Sequence, residues 1–224
     1  MLQATGLSCT RGHRCLFAGL DLELAAGQCL HVAGNNGAGK TSLLRILAGL
    51  LLPTEGTVRW KGAEIRQARE EFGSDLAFVG HLNGVKDDLT ALENLCFAAA
   101  LRSGDASAAA ALAALERVGL ADHADVVARH LSQGQKRRVA LARLCTTAAA
   151  ALWILDEPFN ALDSSAVATL HGLIEQQLAA GGMVLLTAHQ SVQLPGDTRR
   201  LELGASAGAG GAAETGDPDA WAAA

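Results

Sequence analysis

Gly34-Asn35-Asn36-Gly37-Ala38-Gly39-Lys40-Thr41 matches G-x-x-x-x-G-K-[ST] and constrains this chain more than any other stretch. Cys29 to Ala33 ahead of it reads as a compact buried strand. Leu43, Leu44, Ile46, Leu47 and Leu50 behind it have helical spacing. A loop in that setting curls on its glycines so that successive N–H groups converge on phosphate oxygens. The following helix aims its positive end at the same point. Lys40 would bridge the terminal phosphates as a point charge, and the Thr41 hydroxyl would ligate Mg²⁺. The cradle runs through Gly34, Asn35, Asn36, Gly37, Ala38, Gly39, Lys40, Thr41 and Ser42. An ordinary glycine-rich turn needs neither the lysine nor the threonine, so this is a nucleoside-triphosphate site of a class still open.

Leu152-Trp153-Ile154-Leu155-Asp156-Glu157 supplies the partner such a loop requires. Four apolar residues bury a strand, and two carboxylates follow at its C-terminal end, where ligands sit in open α/β sheets. Alternation along a strand sends the two acids to opposite faces, hence to different tasks. Asp156 would hold Mg²⁺ through water, and Glu157 would orient the attacking water and accept its proton.

The rest of the chain is organised around that pair. Leu16-Phe17 and Leu20 to Leu24 are strand-like, as are Thr57 to Trp60 and Leu76 to Val79, with Pro53 and Gly56 closing the first helix. From Thr90 the composition turns to Ala, Leu, Glu and Arg, which predicts helices over Thr90 to Arg102, Ser107 to Val118 and Gln133 to Thr147. Thr90-x-x-Glu93 opens the first as a capping box. A helix over Ser164 to Ala180, a strand over Met183 to Thr187 and an edge strand at Leu201 to Leu203 complete a mainly parallel sheet with helical crossovers. The Gly/Ala-rich stretch from Gly204 onward reads as a disordered tail.

Half of the residues are hydrophobic and the net charge is −5, which argues against a protein built to coat nucleic acid. No apolar run approaches the roughly 18 residues that span a bilayer, and no secretory signal is expected at the N-terminus. Five cysteines, widely spread and without a C-x-x-C pair or Cys/His cluster, read as small buried hydrophobes.

Leu131-Ser132-Gln133-Gly134-Gln135, running into Lys136 to Arg143, narrows the class. Taken alone it is a well-capped amphipathic helix start offering a hydroxyl and N–H groups to an anion. Lying between the glycine loop and the acidic strand, it resembles the L-S-G-G-Q signature of the ATP-binding-cassette (ABC) ATPases. Asn160 to Asp163 then stands where that family keeps its D-loop, and His189, after Val184 to Ala188, where it keeps its switch histidine.

The resemblance covers about residues 2 to 203 and implies an α/β fold of the P-loop NTPase type. It implies a mainly parallel core sheet, an N-terminal antiparallel β part and an inserted helical subdomain. One nucleotide-binding domain would span 1–203, with core 1–81 and 151–203 and helical block about 82–150. It further implies ATP and Mg²⁺ as ligands, ATP hydrolysis, and a γ-phosphate contact from His189. Two copies would form a nucleotide-dependent homodimer, with Ser132, Gly134 and Gln135 acting in trans on the partner's nucleotide. Integral membrane subunits would dock near Gly80 to Leu92, leaving this chain peripheral on the cytoplasmic face of a bacterial inner membrane. Within the family, Gly80-His81, Leu89 to Leu95, Gly134 to Arg143 and Ile154 to Phe159 look most like the ATP-binding subunits of haem export in cytochrome c maturation.

The chain also departs from the family. Counting back from Leu92-Glu93-Asn94-Leu95 puts His81, or with a one-residue slip Leu82, at the Q-loop glutamine position. No tyrosine is available to stack on adenine, which leaves Arg11 or His13 as candidates. Two other readings compete: another ABC transporter's ATPase, and a soluble ABC ATPase of the DNA-repair or translation type. The latter calls for a coiled-coil insert or a second cassette and for basic surfaces. A P-loop kinase of small molecules leaves the Leu131–Gln135 segment and His189 without a purpose.

Overall fold

The computed structural model describes residues 1–103, 107–146, 150–188, 194 and 198–204. His189 and the stretch from 205 onward lie outside the described residues, so the switch-histidine and tail expectations find no test here.

The chain opens with a hairpin of two long antiparallel strands, β1 (Leu2–Arg11) and β2 (Arg14–Leu24). Gly12 takes φ +59° in the two-residue turn between them, the left-handed conformation that primed hairpin turns demand. Register shifts around residues 4–10 interrupt the period-2 alternation, so the sequence shows only short apolar segments where the backbone makes continuous strands. β4 (Glu55–Trp60) pairs with β1, and the two-residue β5 (Ala63–Glu64) completes this sheet in the order β2-β1-β4-β5.

The second sheet is parallel throughout, in the order β6-β7-β8-β3-β9. Its strands are β3 (Cys29–Gly34), β6 (Leu76–Val79), β7 (Leu152–Leu155), β8 (Met183–Thr187) and β9 (Thr198–Leu203). β7 and β8 are buried along their whole length, which is why they read as unbroken apolar runs. Their alternation sorts the core. Leu152, Ile154, Met183 and Leu185 join the cluster under the antiparallel sheet and α1 (Lys40–Leu47). Trp153, Leu155, Val184 and Leu186 face α5 (Gln133–Thr146) and α6 (Ser164–Ala179).

Helix α1 stops three residues short of the sequence expectation. Gly49 at φ +71° ends it in a Schellman arrangement, with Leu50 N–H on Arg45 O at 2.8 Å and Gly49 N–H on Ile46 O at 3.0 Å. Helix α2 (Arg69–Asp75) escapes the sequence reading because it is polar and buries only Phe72. Helices α3 (Ala91–Ser103), α4 (Ala108–Arg117) and α5 pack on one another over a third cluster centred on Leu95, Leu115, Leu120 and Val139. The Thr90/Glu93 capping box forms as expected, with reciprocal bonds of 2.8 and 3.1 Å.

The reading of all five cysteines as buried needs correction. Cys9 and Cys29 are buried, and burial pushes the Cys29 thiol up to about 11. Cys96 and Cys145 are half-buried, while Cys15 is exposed because it lies on β2 just past the hairpin turn.

Candidate functional site

The strand order decides what can meet. β3, β8 and β7 are neighbours, so the glycine loop after β3, Thr187 at the end of β8 and the acids after β7 emerge side by side at one edge.

Gly34 and Gly39 leave no room for a side chain. A Cβ on Gly34 would sit 2.4 Å from Leu203 O, because β9 pairs directly against it, and one on Gly39 would meet Leu16 Cβ at 3.0 Å. Gly34, Gly37 and Gly39 all have positive φ, which bends the loop back over the start of α1. Asn35, Asn36 and Gly37 form its exposed crest, and Asn35 O accepts from Ala38 N–H at 3.1 Å. Lys40 is only 7% exposed, and its Nζ donates to Gly34 O at 2.6 Å and to Asn35 O at 3.3 Å. The ammonium is therefore held in the mouth of its own loop by carbonyl oxygens that a phosphate can replace. Thr41 and Ser42, in the first turn of α1, are half-buried.

The acids divide their work, but not by strand alternation. β7 ends at Leu155, and Glu157 has φ +50°, a left-handed conformation that costs a non-glycine residue on the order of 1–2 kcal/mol. That turn, and not the pleat, separates the two carboxylates. Asp156 is 1% exposed; its N–H bonds Val79 O at 2.8 Å, and its Oδ1 accepts from Thr187 Oγ1 at 2.8 Å. Asp156 Oδ2 is buried with no hydrogen-bond partner. The Thr187 hydroxyl also accepts the Glu157 N–H at 2.8 Å, so one side chain aligns both acids.

Glu157 points toward the opening. Its Oε2 accepts from Asn160 Nδ2 at 2.5 Å and lies 3.7 Å from His81 Nδ1. Leu82 is 81% exposed, so the residue facing the acid at this station is His81.

Ser132 and Gln135 form a capping box on α5. Ser132 Oγ accepts the Gln135 N–H at 3.2 Å, and Gln135 Oε1 accepts the Ser132 N–H at 2.8 Å. Gln135 Nε2 lies 2.9 Å from His123 Nε2. Gly134 carries no side chain because Ala161 O would be 2.7 Å from its Cβ. Arg138 pairs with Asp163, so the segment after the acids rests against this helix start.

Arg11 and His13 are exposed on the hairpin, and Arg14 lies beside the loop crest. Its Nη1 lies 3.6 Å from the position of a Gly37 Cβ. Arg14, Thr187 and Arg137 are functional neighbours that the sequence reading missed, while Asn160, read only as the start of the D-loop, also bonds the acid. For Thr187 a signal existed: a polar residue ends an otherwise apolar buried strand.

Comparison with known proteins agrees with this geometry. Residues 17–160 match the family model described as ABC transporter. A relative in Dechloromonas aromatica, the cytochrome c biogenesis ATP-binding export protein CcmA, is 54% identical over 91% of this chain and 100% of its own length. The protein of the same description in Methylococcus capsulatus is 51% identical over 90% of this chain and 97% of its own. Among solved structures, a dimeric bacterial ABC transporter cassette superposes with a TM-score of 0.81 at 24% identity, covering 91% of this chain and 95% of that one. That likeness is one of fold. With the family model matched over more than half its length, this chain belongs to the ABC transporter family, as an ATP-binding subunit with the family's ATPase chemistry.

Proposed function

We propose that this chain is the ATP-hydrolysing subunit of an exporter serving cytochrome c biogenesis, a haem exporter in the reading made from its sequence. The carrying observation is the near-full-length similarity to proteins of that description, 54% identical over 100% of one relative. No helix among the described residues is itself long and apolar enough to cross a membrane. An ATP-binding subunit of this family works with integral membrane subunits, which would carry the cargo path. The chain would attach to them peripherally, on the cytoplasmic face of the inner membrane, through the side that carries residues 80–92.

The chemistry follows from the site. On ATP binding, Lys40 exchanges the carbonyls of Gly34 and Asn35 for the β- and γ-phosphates, and the N–H groups of residues 34–42 close around them. Glu157 accepts the proton of the attacking water, its Oε2 held by the Asn160 amide with His81 Nδ1 3.7 Å away. Thr41 and Asp156 would hold Mg²⁺, and the buried, unpartnered Asp156 Oδ2 suits a divalent cation. The ion supplies charge neutralisation on the phosphates. His189 would contact the γ-phosphate. Ser132, Gly134 and Gln135 would cap the nucleotide of a second copy, as the resemblance to the family implies; in their own chain Ser132 and Gln135 cap the start of α5, and Gln135 reaches His123.

Two experiments test this. Glu157→Gln is expected to leave ATP binding intact, slow turnover at least a hundredfold and accumulate an ATP-bound dimer in size-exclusion chromatography. Normal turnover removes Glu157 from the role of base. Purification of the chain from its native membrane should bring haem-handling membrane proteins with it, and a different cargo system in that preparation refutes the export assignment.

A further inference from the structure

Arg137 lies one turn into α5 and is 3% exposed, yet no carboxylate oxygen is among its hydrogen-bond acceptors. Its guanidinium has five N–H donors, and the surroundings present five acceptors. Nε reaches Pro158 O at 3.3 Å; Nη1 reaches Gly80 O at 2.8 Å and Asn83 Oδ1 at 3.2 Å; Nη2 reaches Asp156 O at 2.9 Å and Glu157 O at 2.7 Å. These acceptors belong to two separate segments. One is the 80–83 loop, which carries His81 beside the acid. The other is the turn that contains both carboxylate residues. The arginine itself is part of the helix that starts at Ser132-Gln133-Gly134-Gln135.

A buried cation makes such an arrangement costly. Burial pushes the Arg137 pKa down, while the charges of Asp156 and Glu157 act to raise it, so the charge is supported by carbonyl dipoles and nearby acids and not by an ion-pair bond. What this achieves is geometric. The Glu157 carbonyl is bound by Arg137 and its N–H by Thr187, so the peptide groups on both sides of a left-handed residue are tied. A planar five-donor fork can bind two segments at once; a lysine ammonium has three donors and no plane.

We infer that Arg137 is a positioning residue for hydrolysis, one that ties the direction of Glu157 to the 80–83 loop and to the signature helix. Movement of the helical block or of the docking-side loop then reaches the acid through one side chain, without touching nucleotide. This inference rests on the reading of Glu157 as the base.

The test uses the full chain as wild type, Arg137→Lys, Arg137→Gln and Asn83→Ala, with kcat, KM for ATP and the melting midpoint measured for each. Arg137→Lys is expected to lower kcat at least tenfold with KM within about threefold. Asn83→Ala removes one acceptor at the loop end, and a fall in kcat of about threefold at unchanged KM and midpoint is expected. In a Glu157→Gln background, Arg137→Lys should add little further loss, because the group it positions is gone. Unchanged kcat in both Arg137→Lys and Asn83→Ala overturns the inference, and so does a loss that multiplies undiminished in the Glu157→Gln background. If Glu157→Gln itself turns over normally, the failure lies with the base assignment.

Discussion

The Thr187 hydroxyl donates to Asp156 Oδ1 over 2.8 Å, across the boundary between β8 and β7. Its oxygen accepts the next N–H along the chain, that of Glu157, at the same distance. One donor and one acceptor on a single oxygen therefore set the direction of both acids.

Replacing Thr187 tests that statement. Thr187 is fully buried, so Thr187→Val keeps the shape and removes the hydroxyl. It strands an acceptor and a donor, at a cost of about 2–4 kcal/mol in denaturant-unfolding stability. Turnover should fall with it, and Thr187→Ser should recover most of both. A valine variant with wild-type stability and kcat contradicts the arrangement.

Lys40→Ala removes the cation from the loop mouth. The loss of charge-assisted bonds to phosphate is worth about 1.5–3 kcal/mol, a weakening of ATP binding by about ten- to a hundredfold. Equilibrium binding of a fluorescent ATP analogue measures it. Affinity unchanged from wild type is incompatible with the bonds of Lys40 to Gly34 and Asn35 being replaced by phosphate.

Base selectivity should be slack. The chain has no tyrosine, and the cation beside the loop crest is Arg14, whose guanidinium plane stacks on any purine. ATP and GTP are expected to bind within about tenfold of each other, and Arg14→Ala should weaken both alike. Near-absolute preference for ATP in a competition assay refutes this.

Stability on the acid side should report Asp163, the N-cap of α6. The Ala166 N–H at 2.9 Å holds its carboxyl below the usual value, helped by Ser165 and Arg138 and opposed by desolvation. Its pKa is lower folded than unfolded, so the stabilisation is complete above the unfolded value of 3.8 and is lost as pH falls through the folded one. Asparagine caps without titrating. Melting midpoints of wild type and Asp163→Asn, taken from about pH 6 down to about pH 2.5, should converge in acid. A gap constant across that range would mean that Asp163 contributes no pH dependence.

The phosphate loop, the acidic pair and the capped start of α5 were legible in the sequence because each is a contiguous run whose chemistry depends on neighbours in the chain. The parallel strands were legible too, since burial on both faces leaves unbroken apolar runs such as Leu152–Leu155 and Met183–Thr187. β2 was read only as fragments and β1 not at all, because bulges break the alternation that reveals a strand. The order β7-β8-β3, the meeting of Thr187 with Asp156 and the five bonds of Arg137 carry no local signature at all. The hydrogen bonds join residues 19 to 57 positions apart and the β3–β8 pairing residues far more distant, and such pairings exist only once the sheet has chosen its order and the core has closed around it. Hydrophobic periodicity reports which face of a segment is buried; it is silent on which other segment buries it.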